Sequence, residues 1–256
     1  MGLEQNMRRG PRMAFQWWAH RGSGKGQLEN TLRGFEIALQ SGFKAVEFDV
    51  MLSADGVPMV HHDWVMGRCA QSIDPALAGT DPITRFDSLR VRDLRQFQVH
   101  GEPIPTFVET LSWCLQHGVQ ANVELKATSP GNALALGQAV GSAMAALGGA
   151  DLALIKTDWV FSSFYNASLL PLGQFKLALL YEQLPDQWII RADALKVQDI
   201  HLHGSGAVPD AIRRIHCTGR GVRVYTVNDL EQASMLQGLG VKGIFTDRMD
   251  FASHSF

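Results

Sequence analysis

The sequence predicts a closed (β/α)8 barrel, an α/β fold of the TIM type. Three observations predict it. Strand and helix patterns alternate almost to the C-terminus, the charged and histidine motifs stand where predicted strands end, and no shift in composition divides the 256 residues. One barrel domain spanning 1–256 is therefore expected. A doubly wound open sheet is the structural alternative, because short strands are hard to count from sequence.

Taken in order, residues 16–20 read as the first strand, 31–40 as a helix closed by Gly42, and 44–52 as the second strand. Asp55-Gly56 then turns the chain into a short hairpin arm over 57–61. The stretch 64–105 breaks the rhythm. Its Asp74-Pro75, Asp81-Pro82 and Arg-rich 85–95 read as an irregular excursion over the barrel mouth, where long insertions often carry function. A helix over 106–117 stops at Gly118 and leads into a strand over 119–125. The Ala/Leu-rich 132–147 is the clearest helix. Further strands fit 159–162, 175–181, 197–202, 221–226 and 243–246, with helices over 209–216 and 229–239, which brings the strand count to eight.

Hydrophobic residues make up 46% of the chain and the net charge is -2, the balance of a soluble globular protein. Nothing favours a nucleic-acid partner, so a small ligand is expected. Cys69, Cys114 and Cys217 lie far apart with no Cys-x-x-Cys pair, which argues against a zinc knuckle or disulfide framework and suits a reducing compartment. The N-terminus carries Arg8, Arg9 and Arg12, but its apolar run over 13–19 is broken by Gln16 and makes a poor signal peptide. No stretch approaches the roughly 20 apolar residues of a membrane span. A cytoplasmic protein without stable membrane insertion is expected, and the oligomeric state is not legible.

The chemistry begins with Glu47 and Asp49, two residues apart on an apolar strand, so that both side chains leave one face. A salt-bridged pair at a sheet end is the plain reading of the two alone. Glu124, with Lys126, ends a third strand and brings another carboxylate into the same neighbourhood if the barrel closes. Three clustered carboxylates repel and need a cation, and an all-oxygen set selects Mg²⁺, Ca²⁺ or Mn²⁺. His20 and His62 stand at strand ends beside this cluster. Phosphodiester cleavage needs a base for the nucleophile and an acid for the leaving alkoxide, and imidazole serves both near neutral pH. Arg21 can meet the phosphate oxygens as a bidentate donor, with Lys126 as a point charge. The segment Gly22-Ser23-Gly24-Lys25-Gly26 lacks the phosphate-loop frame and reads as a flexible loop closing over the site. Asn30 or Thr31 is a candidate helix N-cap. His201 and His203 read as structural or substrate-lining, and Trp17-Trp18 as core.

The ordered motifs resemble the glycerophosphodiester phosphodiesterase family over nearly the whole chain. His20-Arg21-Gly22 with Glu29-Asn30-Thr31-Leu32 matches its opening signature, and Glu47-Phe48-Asp49-Val50, Asp55-Gly56-Val57-Pro58 and His62-Asp63 match its second block. Pro103-Ile104-Pro105-Thr106 with Glu109, and Glu124-Leu125-Lys126, match the third. Ser162-Ser163-Phe164, Thr226-Val227-Asn228 and Thr246-Asp247-Arg248 resemble the late blocks. The chain departs from the pattern with Leu28 and Met249 where proline is usual and Tyr225 where tryptophan is commoner, which touches substrate preference rather than the reacting groups.

The resemblance implies a single barrel with a small insertion after the second strand, here 64–105. It implies His20 and His62 as the acid/base pair, Arg21 and Lys126 on the phosphate, and Glu47, Asp49 and Glu124 on the metal. His61 occupies a variable family position, and alternation along the arm turns it away from His62. The implied reaction is hydrolysis of a small glycerophosphodiester, such as glycerophosphocholine or glycerophosphoethanolamine, to sn-glycerol 3-phosphate and the free alcohol. A cyclic phosphate formed by the neighbouring glycerol hydroxyl is the implied route. The rivals are a phospholipase-type enzyme, acting as a phosphatidylinositol phospholipase C or sphingomyelinase D, and a noncatalytic phosphodiester-binding barrel.

Overall fold

The structure, a computed structural model, describes residues 15–73 and 84–254. The basic N-terminal residues, and Asp74-Pro75 and Asp81-Pro82 of the expected excursion, lie outside them. Strand β1 (Gln16–Ala19) leads through the His20-Arg21-Gly22 turn to α1 (Leu32–Gln40), β2 (Ala45–Leu52) and the hairpin strand β3 (Pro58–Val60). Next come β4 (Ala70–Ser72), α2 (Val91–Leu94), β5 (Phe97–Val99) and β6 (Glu102–Pro103). The alternation then resumes with α3 (Phe107–His117), β7 (Gln120–Leu125), α4 (Pro130–Ala145), α5 (Gly149–Asp158) and β8 (Val160–Ser163). It ends through α6 (Asn166–Leu169), β9 (Lys176–Tyr181), α7 (Trp188–Leu195), β10 (Asp199–His203), α8 (Pro209–His216), β11 (Gly221–Tyr225), α9 (Leu230–Gly238) and β12 (Gly243–Thr246).

Strands β1, β2, β7, β8, β9, β10, β11 and β12 pair in that order, all parallel, and β12 returns to β1 through Gln16↔Gly243 to Ala19↔Thr246. The sheet is closed, as expected from the repeated strand-helix units. Strand β2 is buried from Ala45 to Met51, which explains why it reads as one apolar run broken only by its two carboxylates. The main core fills the layer between strands and helices, where Phe48 packs on Phe35 and Phe107 at centroid distances of 5.6 and 6.4 Å. Trp18, Ala45 and Phe245 form a separate cluster with Tyr225 against it, and the Arg223 guanidinium lies 5.3 Å over the Trp18 ring.

Helix ends follow local chemistry. The Thr31 hydroxyl accepts the Gly34 N–H at 3.0 Å, so Thr31 and not Asn30 caps α1. Thr106 and Glu109 form a reciprocal capping box on α3, whose end is the left-handed Gly118. Helix α4 starts two residues before the expected Asn132, because Pro130 occupies its first turn and Asn132 folds back to accept the Ser129 N–H.

The described residues of the insertion are more regular than its Pro/Asp content suggests. Strands β4, β5 and β6 form an antiparallel sheet, and Phe86, Phe97, Leu94, Val99 and Ile104 build a second core with Met51 and Met59 of the β2–β3 hairpin. Phe86 and Phe97 are fully buried, each contributing about 1.5–3 kcal/mol. Strands of two or three residues carry too short an alternation to be read from sequence. The insertion is tied to the barrel mouth by the short Thr128–Asp87 bond and by Arg68, which donates to Glu29.

Candidate active site

The C-terminal ends of the strands surround a cleft of about 810 Å³. His20, Arg21, Asp49, His62, Glu124 and Lys126 line it, and Glu47 is buried beside Asp49 and Glu124. All seven residues that the sequence singles out are thus brought together. Register explains part of this. Asp49 of β2 is the direct parallel partner of Glu124 of β7, which sets their carboxylates side by side. Glu47, Asp49 and Glu124 each offer an oxygen within 4.8 Å of the others.

The carboxylates are held in unequal states. Burial, with Asp49 and Glu124 nearby, pushes Glu47 well above the usual range, although the Arg21 backbone N–H donates to its Oε2 at 2.9 Å. Burial also raises Glu124, against the opposing charge of Lys126. For Asp49 burial acts upward, but the positive charges of His62, Arg21 and Lys126 outweigh it and hold the group low. Glu124 Oε1 is buried without a hydrogen-bond partner, and the nearest Lys126 nitrogen lies 4.0 Å away. An all-oxygen set with an unpartnered buried oxygen and two carboxylates resisting ionisation fits a hard divalent cation.

Each histidine has its own carboxylate. His20 Nδ1 is 2.7 Å from Asp247 Oδ1, and His62 Nδ1 is 2.8 Å from Asp63 Oδ1. Lys126 Nζ lies 2.7 Å from His62 Nε2, while Nδ1 of the same ring faces Asp63. His20 Nε2 lies 3.9 Å from Glu47 Oε2. Burial lowers the His20 pKa, while the bond to Asp247 opposes that shift. Asp247 and Asp63, despite partial burial, are both held well below the ordinary carboxylate range by their histidines, and Asp63 by Arg68 also.

Arg21 is 6% exposed, and its guanidinium sits between Glu29, at 3.0 Å, and Asp49, at 3.5 Å. The turn that places it needs Gly22, which has φ +79° and whose added Cβ would stand 2.7 Å from the Phe35 ring. Lys25 lines the cleft, and its backbone N–H is pinned to Asp247 Oδ1 at 2.8 Å, so the glycine-rich loop packs against the site.

Sequence reasoning missed three positioning groups. Asn30, with φ +58°, donates from Nδ2 to Asp49 Oδ2 at 2.9 Å and accepts the Asp49 N–H at 3.1 Å. Asp63 and Asp247 hold the histidines. The available signal was position, since Asp63 follows His62 and Asp247 follows the last barrel strand. His61 is buried, stacked on Phe86 and directed away from the cleft, as alternation along the arm implies. His203 lines the cleft with Trp64, Phe164, Tyr165, Glu182 and Tyr225. His201 instead lies inside the barrel with neither ring nitrogen hydrogen-bonded.

Comparison with known proteins agrees with this geometry. A model of the glycerophosphoryl diester phosphodiesterase family matches residues 20–251. A glycerophosphodiester phosphodiesterase of Bacillus altitudinis is 28% identical over 92% of this chain and 95% of its own length. The probable glycerophosphodiester phosphodiesterase 2 of Mycobacterium tuberculosis is 29% identical over 95% of this chain and 90% of its own. An Oleispira antarctica phosphodiesterase, solved with its product sn-glycerol-3-phosphate, superposes with a TM-score of 0.80 at 27% identity, covering 93% of this chain and 94% of that one. Among the described residues no helix is long and apolar enough to cross a membrane. The match over nearly the whole length, on a closed barrel with its charged groups gathered at one mouth, shows that the chain is an enzyme belonging to the glycerophosphoryl diester phosphodiesterase family.

Proposed function

We propose that the protein hydrolyses small glycerophosphodiesters, such as glycerophosphocholine or glycerophosphoethanolamine, to sn-glycerol 3-phosphate and the free alcohol. The observation that carries this reading is the pairing, in one cleft, of two carboxylate-held histidines with three convergent acidic oxygens. The product seen in the Oleispira antarctica relative supports the substrate class. One histidine of the pair His20 and His62 takes the proton from the glycerol hydroxyl next to the ester, and that oxygen bonds to phosphorus. The bond from phosphorus to the departing alcohol breaks, and the other histidine protonates the alkoxide. Water then opens the cyclic phosphate with the roles reversed.

Lys126 stands beside both His62 and the carboxylates, and its ammonium is free to move onto a nonbridging phosphate oxygen when substrate displaces the His62 contact. Arg21 adds a fixed positive charge at the edge of the same cleft. Glu47, Asp49 and Glu124 would hold one divalent cation, Mg²⁺, Ca²⁺ or Mn²⁺, which when bound neutralises charge on the phosphoryl group and eases deprotonation of the attacking hydroxyl. Asn30 fixes the Asp49 carboxylate while Asp63 and Asp247 fix the imidazoles. These roles match a site in which positioning and charge supply most of the rate.

Incubation with glycerophosphocholine and a panel of divalent ions tests the reading. Glycerol 3-phosphate and choline are expected, and phosphocholine with glycerol would mean cleavage of the opposite bond. His20→Ala and His62→Ala should each lower turnover by roughly 10²–10⁴-fold. An analogue lacking the adjacent hydroxyl should bind and turn over at least about a hundredfold more slowly. Equal rates for it and the natural substrate would replace internal attack by attack of water.

A further inference from the structure

The end of the hairpin arm and the start of the insertion gather a second set of ligating residues, one of which, Asp63, also holds His62. A ring nitrogen of His61, a carboxylate oxygen of Asp63 and the Cys69 sulfur lie within 4.8 Å of one another. Cys69 Sγ is 3.7 Å from Asp63 Oδ2. A tetrahedral ion with bonds of about 2.3 Å to sulfur and about 2.0 Å to oxygen holds those ligands ~3.5 Å apart, so these two atoms need little movement to share one. His61 is 1% exposed, stacks on Phe86 at 5.1 Å, and its Nε2 has no hydrogen-bond partner. A buried imidazole nitrogen left unpaired is unfavourable unless something fills that position. Sulfur, imidazole and one carboxylate suit a borderline-soft ion, in contrast to the all-oxygen set of Glu47, Asp49 and Glu124.

We propose that His61, Asp63 and Cys69 form a second metal site, selective for Zn²⁺ and ions like it, whose occupation inhibits the enzyme. On binding, the Cys69 S–H proton leaves to solvent and the sulfur, a His61 nitrogen and Asp63 Oδ2 bond to the ion, with water as a fourth ligand. Arg68 now donates from Nε to Asp63 Oδ2 at 2.5 Å, with its side chain 39% exposed. Like charge would drive the guanidinium off Asp63, and its other bonds, to Glu29, remain to hold it. Asp63 lines an open cleft of about 630 Å³ together with Met66, Gly67 and Arg68, and His61 and Cys69 are buried beside it. The inhibition rests on the catalytic role of His62. Asp63 Oδ1 holds His62 Nδ1 at 2.8 Å, and a carboxylate committed to the ion holds the imidazole less well.

The test uses the full-length protein saturated with Mg²⁺ and titrated with Co²⁺, reading the thiolate-to-cobalt charge-transfer band, with turnover measured in parallel under added Zn²⁺. One equivalent of Co²⁺ should raise the band. Cys69→Ser should abolish it and weaken Co²⁺ binding by at least about 100-fold, the upper end for losing even an outer-sphere partner. Cys217→Ser should keep it. Zn²⁺ should inhibit the wild type and spare Cys69→Ser. If the serine variant does not fold, His61→Phe, which preserves the stack on Phe86, serves in its place. No band in the wild type, or one that survives Cys69→Ser, overturns the site. A band without Zn²⁺ inhibition overturns the inhibitory role. Failure to cleave any glycerophosphodiester with Mg²⁺ alone would instead count against the assigned reaction, while the cobalt band would still decide the site.

Discussion

Replacing Asp247 by asparagine removes the charge behind His20 and turns one acceptor oxygen into a donor amide. The carboxylate accepts from two further partners besides the imidazole, the Lys25 N–H at 2.8 Å and Asn228 Nδ2 at 2.9 Å, and the Asp247 backbone N–H donates to Asn228 Oδ1 at 2.8 Å. In Asp247→Asn the amide oxygen can still face Lys25 and His20, but its NH2 then meets the NH2 of Asn228. That amide cannot simply flip, because its oxygen already accepts from Thr246 and from residue 247. The 2.7 Å bond between His20 and the ionised Asp247 carboxylate is charge-assisted and strengthens when the imidazole takes up its proton, and such bonds are worth about 1.5–3 kcal/mol. Lost in the transition state alone, that is a fall in kcat of about 10- to 150-fold. Burial already lowers the His20 pKa and Asp247 opposes this, so without the carboxylate the pKa falls further. The limb of the kcat/KM profile set by His20 should therefore move to lower pH. The assay is steady-state hydrolysis of glycerophosphocholine across pH at saturating divalent ion, with circular dichroism to confirm folding. A folded variant with kcat within about twofold of wild type and an unmoved limb would refute the positioning role.

Glu47→Gln and Glu124→Gln keep side-chain volume and remove one charge each, and calorimetry should find divalent binding weakened by about 10- to 100-fold or more; unchanged heats in both would remove the carboxylates as the cation site. His201 is buried with its pKa lowered to about 3 from 6.5, by burial first and then by Arg223. The unfolded chain therefore takes a proton that the folded chain refuses, and stability present above about pH 6.5 is lost progressively down to about pH 3. His201→Leu should flatten the decline of the urea midpoint over that window, and an unaltered slope would show that His201 does not contribute it. In α4, a Cβ on Gly137 would stand 2.1 Å from the Ser168 carbonyl oxygen. Backbone cannot yield as a side-chain tip does, so overpacking of about 1–3 kcal/mol should outweigh the helix-propensity gain, lowering the Tm of Gly137→Ala by ~2–8 °C; a raised Tm would deny the close approach.

What the sequence made legible follows from where signals are local. The barrel strands were readable because helices cover them on one side and the barrel packs them on the other, so each is a short apolar run bounded by turn residues. Glu47, Asp49, His20 and His62 stood out because charge at the end of such a run demands a reason. Asn30 did not, since its sequence context equally suits a helix cap; the preference was decided by Thr31, whose hydroxyl reaches the Gly34 N–H, leaving the Asn30 amide for Asp49. Asp247 acts on a residue 227 positions away, a pairing that only barrel closure creates. The insertion was misread because its core is shared with Met51 and Met59, whose inclusion cannot be inferred from residues 64–105 alone.

The two cores divide the catalytic apparatus between them. His20, Glu47, Asp49 and Glu124 sit on barrel strands or just past them, whereas His62 and Asp63 follow the hairpin strand, whose Met59 joins the smaller core and whose Val60 joins the main one. Cooperative units within one fold open at different free energies. Amide exchange should then report a sub-global opening in which the segment bearing His62 detaches while the barrel remains protected. In that partly open form the acidic triad keeps its geometry and one proton-transfer group is gone. Heat would thus inactivate the enzyme below the temperature at which its barrel melts, and cooling alone would restore it.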